Sequence, residues 1–159
     1  MPAQLTSEQV WREVRRQIFA VLATVTSRNQ PRTVGIVYAV HEGCLYICTQ
    51  RSSWKVRHIL ANPNVSLTVT IPKRIPFLPW IKIPPAVVSL QGEASIHDPQ
   101  QAPREVLKAL MRGLETSAKM LSELSVIRVR PRGEFLTYGV GVSLLTMRKP
   151  EEARGRAPV

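Results

Sequence analysis

The sequence predicts a mainly β protein, a small barrel of six or seven mostly antiparallel strands with two to three helices packed outside it. Three observations predict it. Val65, Leu67, Val69 and Ile71 alternate strictly with Ser66, Thr68 and Thr70, and Val88, Leu90, Gly92, Ala94 and Ile96 alternate in the same way with Ser89, Gln91, Glu93 and Ser95, the period of half-buried strands. Three apolar runs near the start are joined by short polar or glycine-containing turns, as in an antiparallel meander. Helical periodicity is confined to a few segments, and no repeated strand–helix alternation of a parallel α/β fold is present. At 159 residues and 44% hydrophobic residues, one domain over 1–148 with a real core is expected.

Taken in order, Ser7 is placed as the N-cap of a first helix in which Val10, Val14 and Ile18 form one stripe. Phe19 to Thr26 reads as a strand, 27–31 as its turn, and Thr33 to Val40 as a strand so uniformly apolar that it is expected to be covered on both faces. His41-Glu42-Gly43 leads into a strand from Cys44 to Thr49. A short basic helix follows and stops at Asn62-Pro63, because the residue before proline resists the helical region. After the two alternating strands, Asp98-Pro99 closes the second. Pro103 to Leu121 is read as one amphipathic helix, Ile127 to Arg130 and Glu134 to Val140 as two further strands, and the Glu-, Arg-, Ala- and Pro-rich stretch 149–159 as a disordered tail.

The formal net charge of +11 calls for an anionic partner. Its distribution narrows the class: no acidic residue lies between Glu42 and Glu93, whereas Arg51, Lys55, Arg57, Lys73, Arg74 and Lys82 all do. That concentration favours a specific anion pocket. Nucleic acid is not the expected partner, because no Lys/Arg stripe interleaved with aromatics and no reading helix is evident. Cys44 and Cys48, about 13–14 Å apart along a strand, are too distant for a disulfide and are expected as core thiols. His41, His58 and His97 lack ligand spacing, so no metal is expected. No apolar run is long enough to span a bilayer, and a cytoplasmic location is expected.

The chemistry is written most densely between Leu45 and Leu67, LYICTQRSSWKVRHILANPNVSL. Thr49, Ser52, Ser53, Lys55 and Arg57 gather hydroxyls and positive charges at the first turn of the basic helix, where unpaired backbone N–H groups and the helix dipole already favour an anion. A phosphate monoester suits such a place: hydroxyl and backbone donors fix its oxygens and lysine supplies a compact countercharge. T-x-x-x-S-x-K-V-R followed by ANPNVSL, behind that pair of strands, resembles the pyridoxamine 5′-phosphate oxidase-like split-barrel flavoproteins over about Phe19 to Leu121.

The resemblance implies a split β-barrel and a flavin-dependent oxidoreductase, with FMN first and a deazaflavin coenzyme as the close alternative, bound at the interface of a homodimer and exchanging hydride or electrons with a small-molecule substrate. It implies that the backbone of Val34, Gly35, Ile36 and Val37 lies along the flavin ring, and that Thr49, Ser53 and Lys55 hold the phosphate with Arg51 and Arg57 as supporting charges. Relatives often carry proline at the Gly35 position and arginine at that of Trp54, so this chain departs from the pattern twice. No catalytic side chain is nominated, since a flavin performs the electron transfer and the protein orients it. The other class left open is non-catalytic binding of flavin or of haem, with His41 or His58 as axial ligand.

Ile71 to Ala86, IPKRIPFLPWIKIPPA, stands where a short hairpin turn would suffice. Its prolines forbid a regular helix, and Phe77, Leu78, Trp80 and Ile81 are too apolar for a passive loop. A lid over the cofactor, which would imply an apolar substrate, is the leading expectation, ahead of packing on a second subunit and of peripheral membrane contact.

Overall fold

The computed structural model describes residues 3–159. Among them the chain forms nine strands and five α-helices: β1 (Ala3–Gln4), α1 (Ser7–Arg16), β2 (Phe19–Val25), β3 (Pro31–Val37), β4 (Ala39–His41), β5 (Cys44–Gln50), α2 (Trp54–Ala61), β6 (Asn64–Ile71), β7 (Ala86–His97), α3 (Arg104–Met111), α4 (Ala118–Ser122), β8 (Leu124–Tyr138), α5 (Pro150–Ala153) and β9 (Arg154–Pro158). The class is the expected one, mainly β and mostly antiparallel with flanking helices, a split barrel. The strands beyond six or seven are short: β1, β4 and β9 hold too few residues for an alternating pattern to stand out. Two compact units are distinguished, one made of the residues up to Gln17 with Thr68–Leu90 and Gly133–Val159, the other of Ile18–Leu67 and Gln91–Arg132.

In the first unit, Val10, Trp11 and Val14 form the buried stripe of α1, and the Trp11 ring stands edge-on to Phe135 at 5.2 Å. The N-cap is Thr6, one residue before the expected Ser7. Its hydroxyl accepts from the Gln9 N–H while the Gln9 side chain accepts from the Thr6 N–H, a reciprocal pair that Ser7 could not form with the same glutamine. The stretch 149–159, expected as a disordered tail, is instead ordered over Pro150–Ala153 and Arg154–Pro158. After the turn of α5, residues 154–158 pair antiparallel with β8, from Tyr138↔Arg154 to Glu134↔Pro158, and parallel with β1. Gly155 and Ala157 are buried and Arg154 and Arg156 exposed, a strand alternation carried by small residues and therefore hidden in the composition. Gly139, at φ +73, turns the chain beside Met147, whose backbone carbonyl accepts from the Tyr138 hydroxyl at 2.6 Å.

In the second unit, β2 and β3 form a hairpin in register from Phe19↔Val37 to Val25↔Pro31. β5 pairs on one side with β4 and on the other with β8, from Leu45↔Val129 to Gln50↔Leu124. The strand expected over Thr33 to Val40 and covered on both faces is instead two, interrupted at Tyr38, and within this chain β3 is covered on one face at most: Ile36 is buried, but Gly35 and Val37 are exposed. The helix expected from Pro103 to Leu121 ends at Met111, because Arg112 and Gly113 both adopt left-handed conformations, and Leu114 turns out to solvent. Only Ala118–Ser122 resumes as α4, capped by Ser117. The two strands expected between Ile127 and Val140 are one, β8, since Gly133 takes φ +76 and redirects the chain without ending the strand. Cys44 is a core thiol packed with Tyr46, Val106 and Val126, whereas Cys48 is only half-buried.

Candidate functional site

The site begins where β5 runs into α2. Val56 and Ile59 anchor the helix in the core, which fixes the position of its N-terminus. Ser53 is the N-cap, with extended backbone, and its hydroxyl caps nothing; it accepts instead from the Thr49 hydroxyl at 3.3 Å. No acidic residue occupies the first turn of α2. The result is a helix N-terminus whose backbone donors no side chain of its own satisfies, with two hydroxyls beside it, an arrangement that attracts an oxyanion.

Beside this corner lies a cleft of about 260 Å³. It is lined by Gly35, Ile36 and Val37 of β3, by Ile47, Cys48 and Thr49 of β5, and by Lys55 and Leu110. Lys55 extends its ammonium group along the Trp54 ring, 5.3 Å from the centroid. Trp54 in turn stacks at a tilt on His58, 5.0 Å away, whose Nδ1 meets the Thr24 hydroxyl at 3.1 Å. Trp54 thus contacts both the Lys55 ammonium group and the His58 ring. Phe19 explains the glycine at 35: a Cβ there would stand 2.8 Å from the Phe19 ring, which already occupies the space of a side chain.

Of the residues expected from sequence, Gly35, Ile36, Val37, Thr49 and Lys55 line one cleft, and Ser53 joins them through its bond to Thr49. Val34, opposite Leu22 in the hairpin, does not line it, nor does Arg57, which is exposed one turn into α2. Arg51 is held elsewhere: its guanidinium pairs with Asp98 at 3.1 Å and its backbone N–H donates to the Glu123 carbonyl at 2.9 Å. Its role as a supporting charge requires exchange of that carboxylate for a ligand. Sequence reasoning missed Ile47, Cys48 and Leu110 as lining residues. For Cys48 the signal was present, because in β5 it shares a face with Tyr46 while lying one residue from Thr49. Burial pushes its thiol above the ordinary cysteine range, against a smaller opposing effect of the Thr49 backbone, and so favours the protonated form.

A second recess, of about 140 Å³, is formed by Glu93 and Ser95 of β7 with Arg128, Arg130 and Arg132 of β8. Arg132 is ion-paired with Glu93, and the Nε of Arg128 is buried without a hydrogen-bond partner. Gly92 permits the close approach of these two strands, since a Cβ at that position would fall 2.7 Å from the Arg130 carbonyl oxygen.

The split barrel thus sets an oxyanion-attracting helix N-terminus beside an exposed strand backbone. The family model described as pyridoxamine 5′-phosphate oxidase matches residues 6–138, and the chain belongs to that family. Among solved structures it is similar to an F420 reductase, with 24% identity and a TM-score of 0.56 over 78% of this chain and 93% of that one. It is also similar to a FAD-binding protein from Mesorhizobium loti, with 18% identity and a TM-score of 0.60 over 80% and 91% of the two chains. A haem-binding protein from Mycobacterium smegmatis, 17% identical, aligns at a TM-score of 0.66 over 95% of this chain and 57% of its own. A search of curated proteins gave no match.

Proposed function

We propose that this protein is a flavin-dependent oxidoreductase that binds FMN, or a deazaflavin coenzyme, through its phosphate and acts as a homodimer on a small-molecule substrate. The observation that carries the reading is the convergence of Gly35, Ile36, Val37, Thr49 and Lys55 on one cleft at an uncapped helix N-terminus free of acidic residues. The donor set fits a phosphate monoester: the Thr49 and Ser53 hydroxyls and the first N–H groups of α2 would hold its oxygens, and the Lys55 ammonium would balance its charge. The exposed backbone at Gly35 and Val37 would meet the ring system, and apolar Ile36, Val37, Ile47 and Leu110 would keep water from it. When bound, a flavin supplies hydride and single-electron transfer without an acid or base from the protein.

Haem binding is the competing reading, supported by the similarity to the Mycobacterium smegmatis protein. It needs an imidazole facing the site, yet neither His41 nor His58 lines the cleft, and His58 is engaged by Thr24 and Trp54. The absorption spectrum of the purified protein, followed by titration with FMN, with the deazaflavin coenzyme and with haemin, tests the assignment. Saturable quenching of flavin fluorescence is expected; a Soret band with no flavin affinity would overturn it.

A further inference from the structure

We infer that Ile71 to Ala86 docks this protein on an anionic lipid surface. The segment lies wholly within the first unit and forms two tight turns, held by the Leu78 N–H on the Ile75 carbonyl and the Ile81 N–H on the Leu78 carbonyl, both at 3.2 Å. The turns do not fold the apolar side chains inward. Phe77 is 92% and Trp80 72% exposed, and Leu78 and Ile81 also face solvent. Phe77 further adopts φ +67, a left-handed conformation that a bulky aromatic residue rarely takes, so the backbone at the tip is strained into the shape that displays the ring. Five prolines restrict the alternatives open to the segment.

Charge selects the occupant. Lys73, Arg74 and Lys82 flank the four apolar residues, and no acidic residue occurs anywhere between Glu42 and Glu93. Aromatic side chains among cations match the interfacial zone of an anionic membrane, where the rings enter the headgroup boundary and the cations meet lipid phosphates. A second copy seated segment on segment about a two-fold axis would bring three cations of each chain together with no local carboxylate to offset them. A cover for a ligand within the same chain would have its apolar side chains directed at protein, and Phe77 is bare on nearly all sides. Among the described residues no helix is long and apolar enough to cross a membrane, so the contact is peripheral. It is independent of which cofactor the cleft holds.

The test is sedimentation of the full chain with vesicles of phosphatidylcholine alone and of phosphatidylcholine containing about one third phosphatidylglycerol. Three cations, each worth about fivefold, predict a partition coefficient roughly a hundredfold higher on the anionic vesicles, falling as salt is raised. The double variant F77S/W80S is expected to bind both vesicle types at least about tenfold more weakly. The triple variant K73S/R74S/K82S is expected to lose the preference for anionic lipid. Arg74, Phe77, Trp80 and Lys82 are exposed and Lys73 is half-buried, so the fold should survive both changes. Wild-type protein that stays in the supernatant at low salt, or variants that bind like wild type, would overturn the inference. Without lipid binding, a shift from dimer to monomer in F77S/W80S would mark the segment as a seam between copies, and a changed flavin dissociation constant would mark it as a cover of the cleft.

Discussion

Lys55 carries the clearest consequence at the scale of a single residue. No ion pair among the described residues engages it, and its ammonium rests along an indole face from which it is readily recruited. Lys55→Ala is expected to weaken FMN binding by about 1.5–3 kcal/mol, the scale of a charge-assisted hydrogen bond, with the fold intact. Ser53→Ala should cost less, because the Thr49 hydroxyl and backbone donors remain; fluorescence titration of both variants gives the comparison. Cys48 offers an independent probe of the same cleft. Because burial raises its pKa, its alkylation by N-ethylmaleimide should require higher pH than that of an unperturbed cysteine, and bound flavin should slow it further. Equal labelling rates with and without flavin, followed by mass spectrometry, would count against the cleft as the cofactor site. The sequence made Thr49, Ser53 and Lys55 legible because hydroxyl and cationic side chains announce an anion wherever they crowd a helix start. It could not show that Arg51 is held by Asp98, 47 positions away, since such a pairing exists only once the strands have brought the two together.

Among elements, the approach of β7 to β8 is set by Gly92. A methyl group there would press on the Arg130 carbonyl oxygen at 2.7 Å and on a Val129 methyl at 2.9 Å, and backbone offers no easy retreat. Gly92→Ala is therefore expected to destabilise the protein by about 1–3 kcal/mol, read as a lower denaturation midpoint in urea. Gly35→Ala meets only the half-exposed ring of Phe19, which can swing aside, and should cost less. Elements with strong periodicity, β6 and β7 above all, were legible because alternate residues face core and solvent in the structure as in the sequence. Boundaries set by one residue's dihedral angles were not. Arg112 stops α3 in a conformation its side chain does not advertise, and β9 hides its alternation in glycine, alanine and proline.

At the scale of the whole molecule, Phe19 and Val37 sit opposite one another in the β2–β3 hairpin and are both nearly half exposed, an apolar surface beside the proposed cofactor cleft. A second subunit would cover it, and light scattering of the flavin-loaded protein is expected to give the mass of two chains; a monomer at micromolar concentration with flavin bound would refute the dimer. The pairing of β5 also bears on the order of events during folding. The β2–β3 hairpin joins residues no more than 18 positions apart, from Phe19 to Val37, so it can close within microseconds of collapse. β5 meets β8 only through pairs such as Gln50 with Leu124, 74 positions apart by subtraction, and must wait for a loop whose closure is entropically costly. Pulse-labelling hydrogen exchange should therefore find the amides of Phe19–Val25 protected before those of residues 47–50, which pair with β8 and not with β4. In that interval the apolar CLYIC run of β5 lacks one of its two neighbouring strands, so a nascent chain is most prone to aggregate there, before residues 124–129 arrive to pair with it.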